Sequence, residues 1–152
     1  MHVVLVSPQI PPNTGNIARL CAGTDTQLHL VKPLGFSLED RYLKRAGLDY
    51  WPHVKLHVHE NLEEVLALAE DQPMAFYSTH AQQPYTGFTA HEDAWLVFGR
   101  ETSGLGKQSR ARFAEHLFRI PITTNVRSLN LANSVAIVLY DALRQLDFPL
   151  ND

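Results

Sequence analysis

Ala94-Trp95-Leu96-Val97-Phe98-Gly99-Arg100-Glu101-Thr102-Ser103-Gly104-Leu105 is the stretch whose reading decides the fold. An apolar run reads as a buried strand, and a glycine then turns the chain into a polar loop. Residues 107–113 beyond it read as a short helix. Two further polar blocks have the same setting, an apolar run giving way to a helix-like pattern. One is Pro11-Pro12-Asn13-Thr14-Gly15-Asn16-Ile17-Ala18-Arg19, after the valine-rich run His2–Val6. The other is Ile120-Pro121-Ile122 followed by Arg127-Ser128-Leu129-Asn130-Leu131-Ala132-Asn133, after an apolar run at 117–120. In an α/β protein such a junction is the carboxyl end of a strand, where ligands bind.

Working outward, the chain alternates strands and helices. Strands are expected at His2–Val6, 28–31, 54–58, 74–78, 94–98 and 117–120, with helices from Asn13 or Thr14 to about Ala22, at 38–46, Leu62–Ala69 and 107–113. Leu131, Val135, Val138, Leu139, Ala142 and Leu146 recur at helical spacing, so the last segment is an amphipathic helix of about four turns. Pro11 and Pro12 cannot continue the first strand, and Asn13 or Thr14 is a credible helix cap. A polar loop with Pro84 and Gly87 joins 74–78 to 94–98. The alternation predicts a mostly parallel sheet with helices on both faces, and no repeat or linker divides the 152 residues, so 1–152 is read as one domain.

Composition bounds the function. A 45% apolar and 19% charged chain is expected to fold as a soluble globule rather than stay disordered. A net charge of −3 argues against nucleic-acid binding by bulk charge but leaves room for a local basic face. Cys21, the single cysteine, excludes an internal disulfide and fits a reducing, cytoplasmic compartment. No run reaches membrane-spanning length, so no membrane partner is expected.

Several site chemistries fail on spacing. Lys107 does not follow Gly104 directly, which breaks the phosphate-loop pattern, and the first strand leads into a segment with one glycine rather than a dinucleotide fingerprint. No Gly-x-Ser-x-Gly elbow exists. The histidines lack metal-ligand spacing, so no metal is expected. What remains is a glycine loop that reads equally as a tight turn or as a cofactor contact. Arg127, Ser128, Asn130 and Asn133 are more polar hardware than one helix start needs, so part of the cluster caps and part contacts ligand. Arg19 alone reads as a solvent-facing cation.

Taken in order, Asn13-Thr14-Gly15-Asn16-Ile17 with Arg19, then Phe98 to Leu105, then Ile120-Pro121 with Ser128-Leu129-Asn130-Leu131-Ala132, resemble the three motifs of the SpoU branch of SPOUT RNA methyltransferases. Arg19-Leu20-Cys21-Ala22, Pro33-Leu34-Gly35-Phe36 and Arg45-Ala46-Gly47-Leu48-Asp49-Tyr50 extend the likeness over nearly the whole chain. The minimal length resembles the TrmL type, which methylates the ribose of the wobble nucleotide in tRNA. The resemblance implies a C-terminal trefoil knot, a homodimer and S-adenosylmethionine as methyl donor. It further implies that Tyr77, Gly99, Ile120 and Ser128 hold the cofactor. Arg19 would face the target ribose from the partner subunit, while Asn13, Glu101 and Asn130 arrange the reacting centre. Arginine is too weak a base to take the ribose proton, so Arg19 is assigned to orienting the hydroxyl or stabilising the alkoxide. Arg41, Lys44 and Arg45 form the densest basic group and are candidates for the phosphates of an anticodon stem-loop, a solvated helix face being the equal alternative. Ribosomal RNA as substrate, an inactive RNA-binding module and a flavodoxin-like nucleotide regulator are the competing readings.

Overall fold

The computed structural model describes residues 1–39, 43 and 49–150. Its strands are β1 (His2–Val6), β2 (Gln27–Val31), β3 (Lys55–His59), β4 (Met74–Tyr77), β5 (Gln83–Pro84), β6 (Trp95–Phe98) and β7 (Leu117–Arg119). Its helices are α1 (Pro11–Gly23), α2 (Leu62–Ala69), α3 (Lys107–Arg112) and α4 (Leu131–Gln145). The strands form one sheet in the order β3-β2-β1-β6-β4-β7-β5, and every pairing is parallel. In register, Val4 lies between His29 and Val97.

Alternate side chains of the central strands enter two separate cores, as the two-residue period of a strand requires. Val3, Leu5, Leu28, Leu30, Leu96 and Phe98 pack with Ile17, Ala18 and Cys21 of α1 and with Val135, Val138 and Leu139 of α4. Val4, Phe76, Trp95 and Val97 pack on the other face with Val65 and Ala69 of α2 and with Leu105. Strands covered on both faces need unbroken apolar runs, which is why 94–98 reads so plainly. No helix among the described residues is long and apolar enough to cross a membrane.

Two local expectations need correction, and a third falls outside the described residues. Helix α1 begins at Pro11, its N-cap is Ile10 without a side-chain bond, and the prolines occupy the first two helical positions. A helix's first turn has no use for the N–H that proline lacks, so Pro11 and Pro12 both end the strand and start the helix. Asn13 and Thr14 are therefore inside the helix and buried rather than capping it. The expected polar loop around Pro84 contains the two-residue strand β5, at the sheet edge where a missing donor costs nothing. The expected helix at 38–46, with Arg41, Lys44 and Arg45, lies largely outside the described residues. Asn130 does cap α4, its side chain accepting from the Asn133 N–H at 3.3 Å.

Candidate active site

The neighbouring strands β1 and β6 lead in opposite directions across the sheet, β1 through α1 to β2 on one side and β6 through α3 to β7 on the other. That makes a topological switch point, where the loops leaving the strands separate and open a crevice. A cleft of about 670 Å³ lies there, within the usual range for small-molecule sites. It is lined by Ile10 and Asn13 after β1, by Tyr77 to His80 at the end of β4, by Phe98 to Gly104 after β6, and by Ile120, Ile122 and residues 127–131 after β7. The three polar blocks, far apart in the chain, thus meet because each follows a strand of the same parallel sheet.

Glu101 stands at the junction. One carboxylate oxygen accepts the Gln9 N–H at 2.8 Å, and the other accepts the Ile10 N–H at 3.0 Å and the Asn13 side-chain amide at 3.4 Å. The Asn13 carbonyl oxygen in turn accepts from the Asn130 amide at 3.0 Å. With Asn130 also capping α4, both side-chain amides are used at both ends, which fixes their orientation. The Thr102 hydroxyl donates to the Gln9 side-chain oxygen at 2.6 Å. Glu101 therefore ties the β6 loop to the start of α1, and Asn13 ties α1 to α4.

Gly99 and Gly104 serve this loop for different reasons. A Cβ on Gly99 would lie 2.0 Å from the backbone carbon of Gly104, so only glycine lets the loop close upon itself. The closure is a pair of backbone bonds between Arg100 and Gly104, at 3.2 and 2.9 Å. Gly104 has open space around it but a φ of +65°, which side chains resist. Gly99 is thus required by the loop's own backbone before any ligand is considered.

Tyr77 is buried beneath the cleft, its ring stacked on Phe98 with centroids 4.8 Å apart, and burial holds its phenol protonated well above the ordinary range. Ser128 is exposed and borders the cleft, and its hydroxyl has no hydrogen-bond partner among the described residues. Arg19 is absent from the lining: it sits on the exposed side of α1 with its guanidinium carbon 5.8 Å from the centroid of the Tyr50 ring. Seven of the candidate site residues (Asn13, Tyr77, Gly99, Glu101, Ile120, Ser128 and Asn130) share the cleft. Sequence reasoning gave no site role to Ser78, which it placed at the end of the expected strand, or to Thr79 and His80, which directly follow it. Arg100, to which it assigned no role, also lines the cleft. Among the described residues no group of three or more His, Cys, Asp or Glu side chains is placed to hold a metal ion.

A parallel sheet with a polar cleft at its switch point defines a ligand-binding α/β protein, and comparison with known proteins narrows the class. The model of the SpoU rRNA Methylase family matches residues 1–140, and the chain belongs to that family. It is 52% identical over 147 residues to a tRNA (cytidine(34)-2′-O)-methyltransferase of Methylovorus glucosotrophus (strain SIP3-4), covering 96% of each chain. It is 43% identical to the protein of that name in Burkholderia pseudomallei (strain 1106a), over 97% of this chain and 96% of the relative. A solved structure described as "Structural insights into the 2-OH methylation of C/U34 on tRNA" superimposes with a TM-score of 0.90 at 41% identity, over 96% of this chain and 95% of that one.

Proposed function

We propose that this protein transfers the methyl group of S-adenosylmethionine to the ribose 2′-hydroxyl of the wobble nucleotide in the tRNA anticodon loop. The observation that carries the reading is the convergence of all three motifs on one cleft, in a chain similar over nearly its full length to enzymes named for that reaction. The residues present suit the cofactor. Phe98, Ile120, Leu129 and Leu131 offer apolar walls for a nucleoside, and the unpartnered Ser128 hydroxyl offers a hydrogen bond. When bound, the cofactor supplies an electrophilic methyl on a sulfonium.

The chain's own part is mainly positioning, which can carry much of the rate of such a transfer. Glu101, Asn13 and Asn130 fix the cleft's loops relative to one another. Three N–H groups already occupy Glu101, so its role is to hold this frame rather than to take the ribose proton. Arg19 orients the hydroxyl or stabilises the alkoxide as it forms. Its place outside the cleft of its own chain supports a site completed by a second copy, hence a homodimer. The exposed Ile137 and Tyr140 of α4, with Phe148 beyond it, would suit the contact between copies. A trefoil knot threading α4 through a preceding loop is part of the same reading, as is phosphate contact by Arg41, Lys44 and Arg45. Cys21 takes no part, because burial pushes its thiol up to about 12. A cytoplasmic setting, where tRNA matures, completes the proposal.

The test is methyl incorporation from labelled cofactor into tRNA, with mapping of the modified ribose. A methyl at the wobble ribose is the expected result; one elsewhere in tRNA, or only in ribosomal RNA, overturns the substrate. Sedimentation at micromolar concentration should give a dimer, and a fully active monomer would remove the shared site.

A further inference from the structure

Of the described lysines and arginines, some are paired with an acid and some are not, and among the unpaired ones only Arg100 and Arg127 line the cleft. Lys32, Lys55, Arg112 and Arg144 are each paired with an acid, namely Glu60, Asp25, Glu63 and Asp141. Arg100 and Arg127 line the cleft on two different loops, and neither has an acidic partner among the described residues. Glu101, the one carboxylate in the lining, is already engaged by backbone N–H groups and Asn13. In a chain of net charge −3, acids were available to neutralise these arginines, and none of the described ones pairs with them.

The cofactor of the proposed reaction cannot supply the missing charge. S-adenosylmethionine carries a sulfonium and an ammonium against one carboxylate, so it is itself a cation. Its binding beside two unpaired guanidiniums leaves the cleft more positive still, in a partly enclosed space where charges are weakly screened. A third, anionic participant is needed to complete the assembly. The substrate of the same reaction is a polyanion whose target nucleotide must enter this cleft with a phosphate on either side. Arginine's planar fork matches phosphate oxygens in bidentate geometry.

We infer, building on that functional reading, that Arg100 and Arg127 contact the backbone phosphates flanking the methylated nucleotide. They act as RNA-binding residues at the reacting centre, independently of any basic group elsewhere on the chain. Arg127 leads the segment that carries Ser128 and Asn130, and Arg100 precedes Glu101. The phosphate contacts are therefore built into the same loops that carry the predicted cofactor contacts, which couples RNA placement to cofactor placement.

The test is binding of a fluorescent anticodon stem-loop RNA by the full protein across a range of salt, with S-adenosylmethionine affinity measured beside it by calorimetry. Each phosphate contact to a single strand adds about 0.7 to the magnitude of the salt slope. Arg100→Gln and Arg127→Gln should each lower the slope by about that amount and weaken RNA binding roughly tenfold or more. Cofactor affinity should stay within about twofold, and Arg100→Lys with Arg127→Lys should restore most of the slope. Lys32→Gln, which removes a cation already paired with Glu60, should leave the slope unchanged. An unaltered slope in both glutamine variants overturns the proposal, as does a loss of cofactor affinity in place of RNA affinity, which would assign the arginines to the cofactor carboxylate. Absence of tRNA methylation by the unaltered protein would instead refute the functional reading, so the two failures are distinct.

Discussion

Two dense polar networks among the described residues differ in one respect, that the first opens onto the cleft and the second does not. In the cleft, the chain of bonds from Glu101 through Asn13 to Asn130 ends among groups still free to bind, the Ser128 hydroxyl and the guanidiniums of Arg100 and Arg127. Across β1, β2 and β3 runs a ladder of imidazoles instead. His2 bonds His29 at 2.9 Å, His29 bonds His59 at 2.9 Å, and His59 lies 3.6 Å from Glu64. His2 stacks flat on Trp95 with centroids 3.9 Å apart, and His29 stacks on His57. The rungs of this ladder satisfy one another, and none of them lines the cleft. Polar density alone therefore does not mark a site; unspent donors and charges facing a cavity do.

Breaking the open network should have the larger effects. Arg19→Ala is expected to lower methyl transfer by about 100-fold or more while leaving cofactor affinity intact, the pattern of lost transition-state stabilisation. Wild-type turnover in this variant would remove Arg19 from the chemistry. Glu101→Ala should reduce activity more than tenfold and cost about 1–2 kcal/mol of stability, because the Gln9 and Ile10 N–H groups lose their acceptor. Glu101→Gln keeps an acceptor oxygen and should recover part of both losses. If instead it is fully active, the carboxylate charge is irrelevant to the frame. Gly99→Val should weaken cofactor binding with a fall in the unfolding midpoint, since the added side chain meets the Gly104 backbone. Weakened binding at unchanged stability would place the side chain against ligand rather than loop.

The closed network should respond to pH rather than to ligand. Burial lowers His29 to about 3 and His2 to about 4 in the folded protein, with neighbouring positive charges adding to the effect. Below about pH 6.5 the unfolded chain binds protons that these folded residues refuse, so stability falls as pH drops from there toward 4 and 3. The slope is about 1.4 kcal/mol per pH unit for each such group once the unfolded histidine is fully protonated. His29→Gln, which keeps a donor and an acceptor, should shrink the fall in thermal midpoint between about pH 7.5 and about pH 5. An equal fall in the variant and the parent would show that the ladder does not govern it.

The contrast also explains what the sequence disclosed. Strand β1 and helix α2 are found at their observed limits, because a valine-rich run and an apolar stripe at helical spacing are local signals. Six of the seven shared cleft residues were legible because each lies in a polar block next to a strand end, and a parallel sheet gathers such ends, whereas Tyr77, the last residue of β4, was reached only through the family resemblance. The start of α1 was misread because proline has opposite meanings at a strand end and in a first helical turn. Strand β5 is two residues long and carries proline, so nothing in its own sequence announces it. The necessity of Gly99 depends on backbone five residues away folding over it, which no local pattern reveals. The ladder was invisible for a related reason. His2, His29 and His59 become neighbours only through the order of three parallel strands.

The central claim, that the open cleft is a cofactor site needing no metal, is tested most directly by calorimetric titration of the unaltered protein with S-adenosylmethionine in the presence of a chelator. The account predicts saturable binding of one cofactor per chain, weakened by Ser128→Val and unaffected by His29→Gln. No heat of binding, or binding that appears only when zinc is restored, would contradict it.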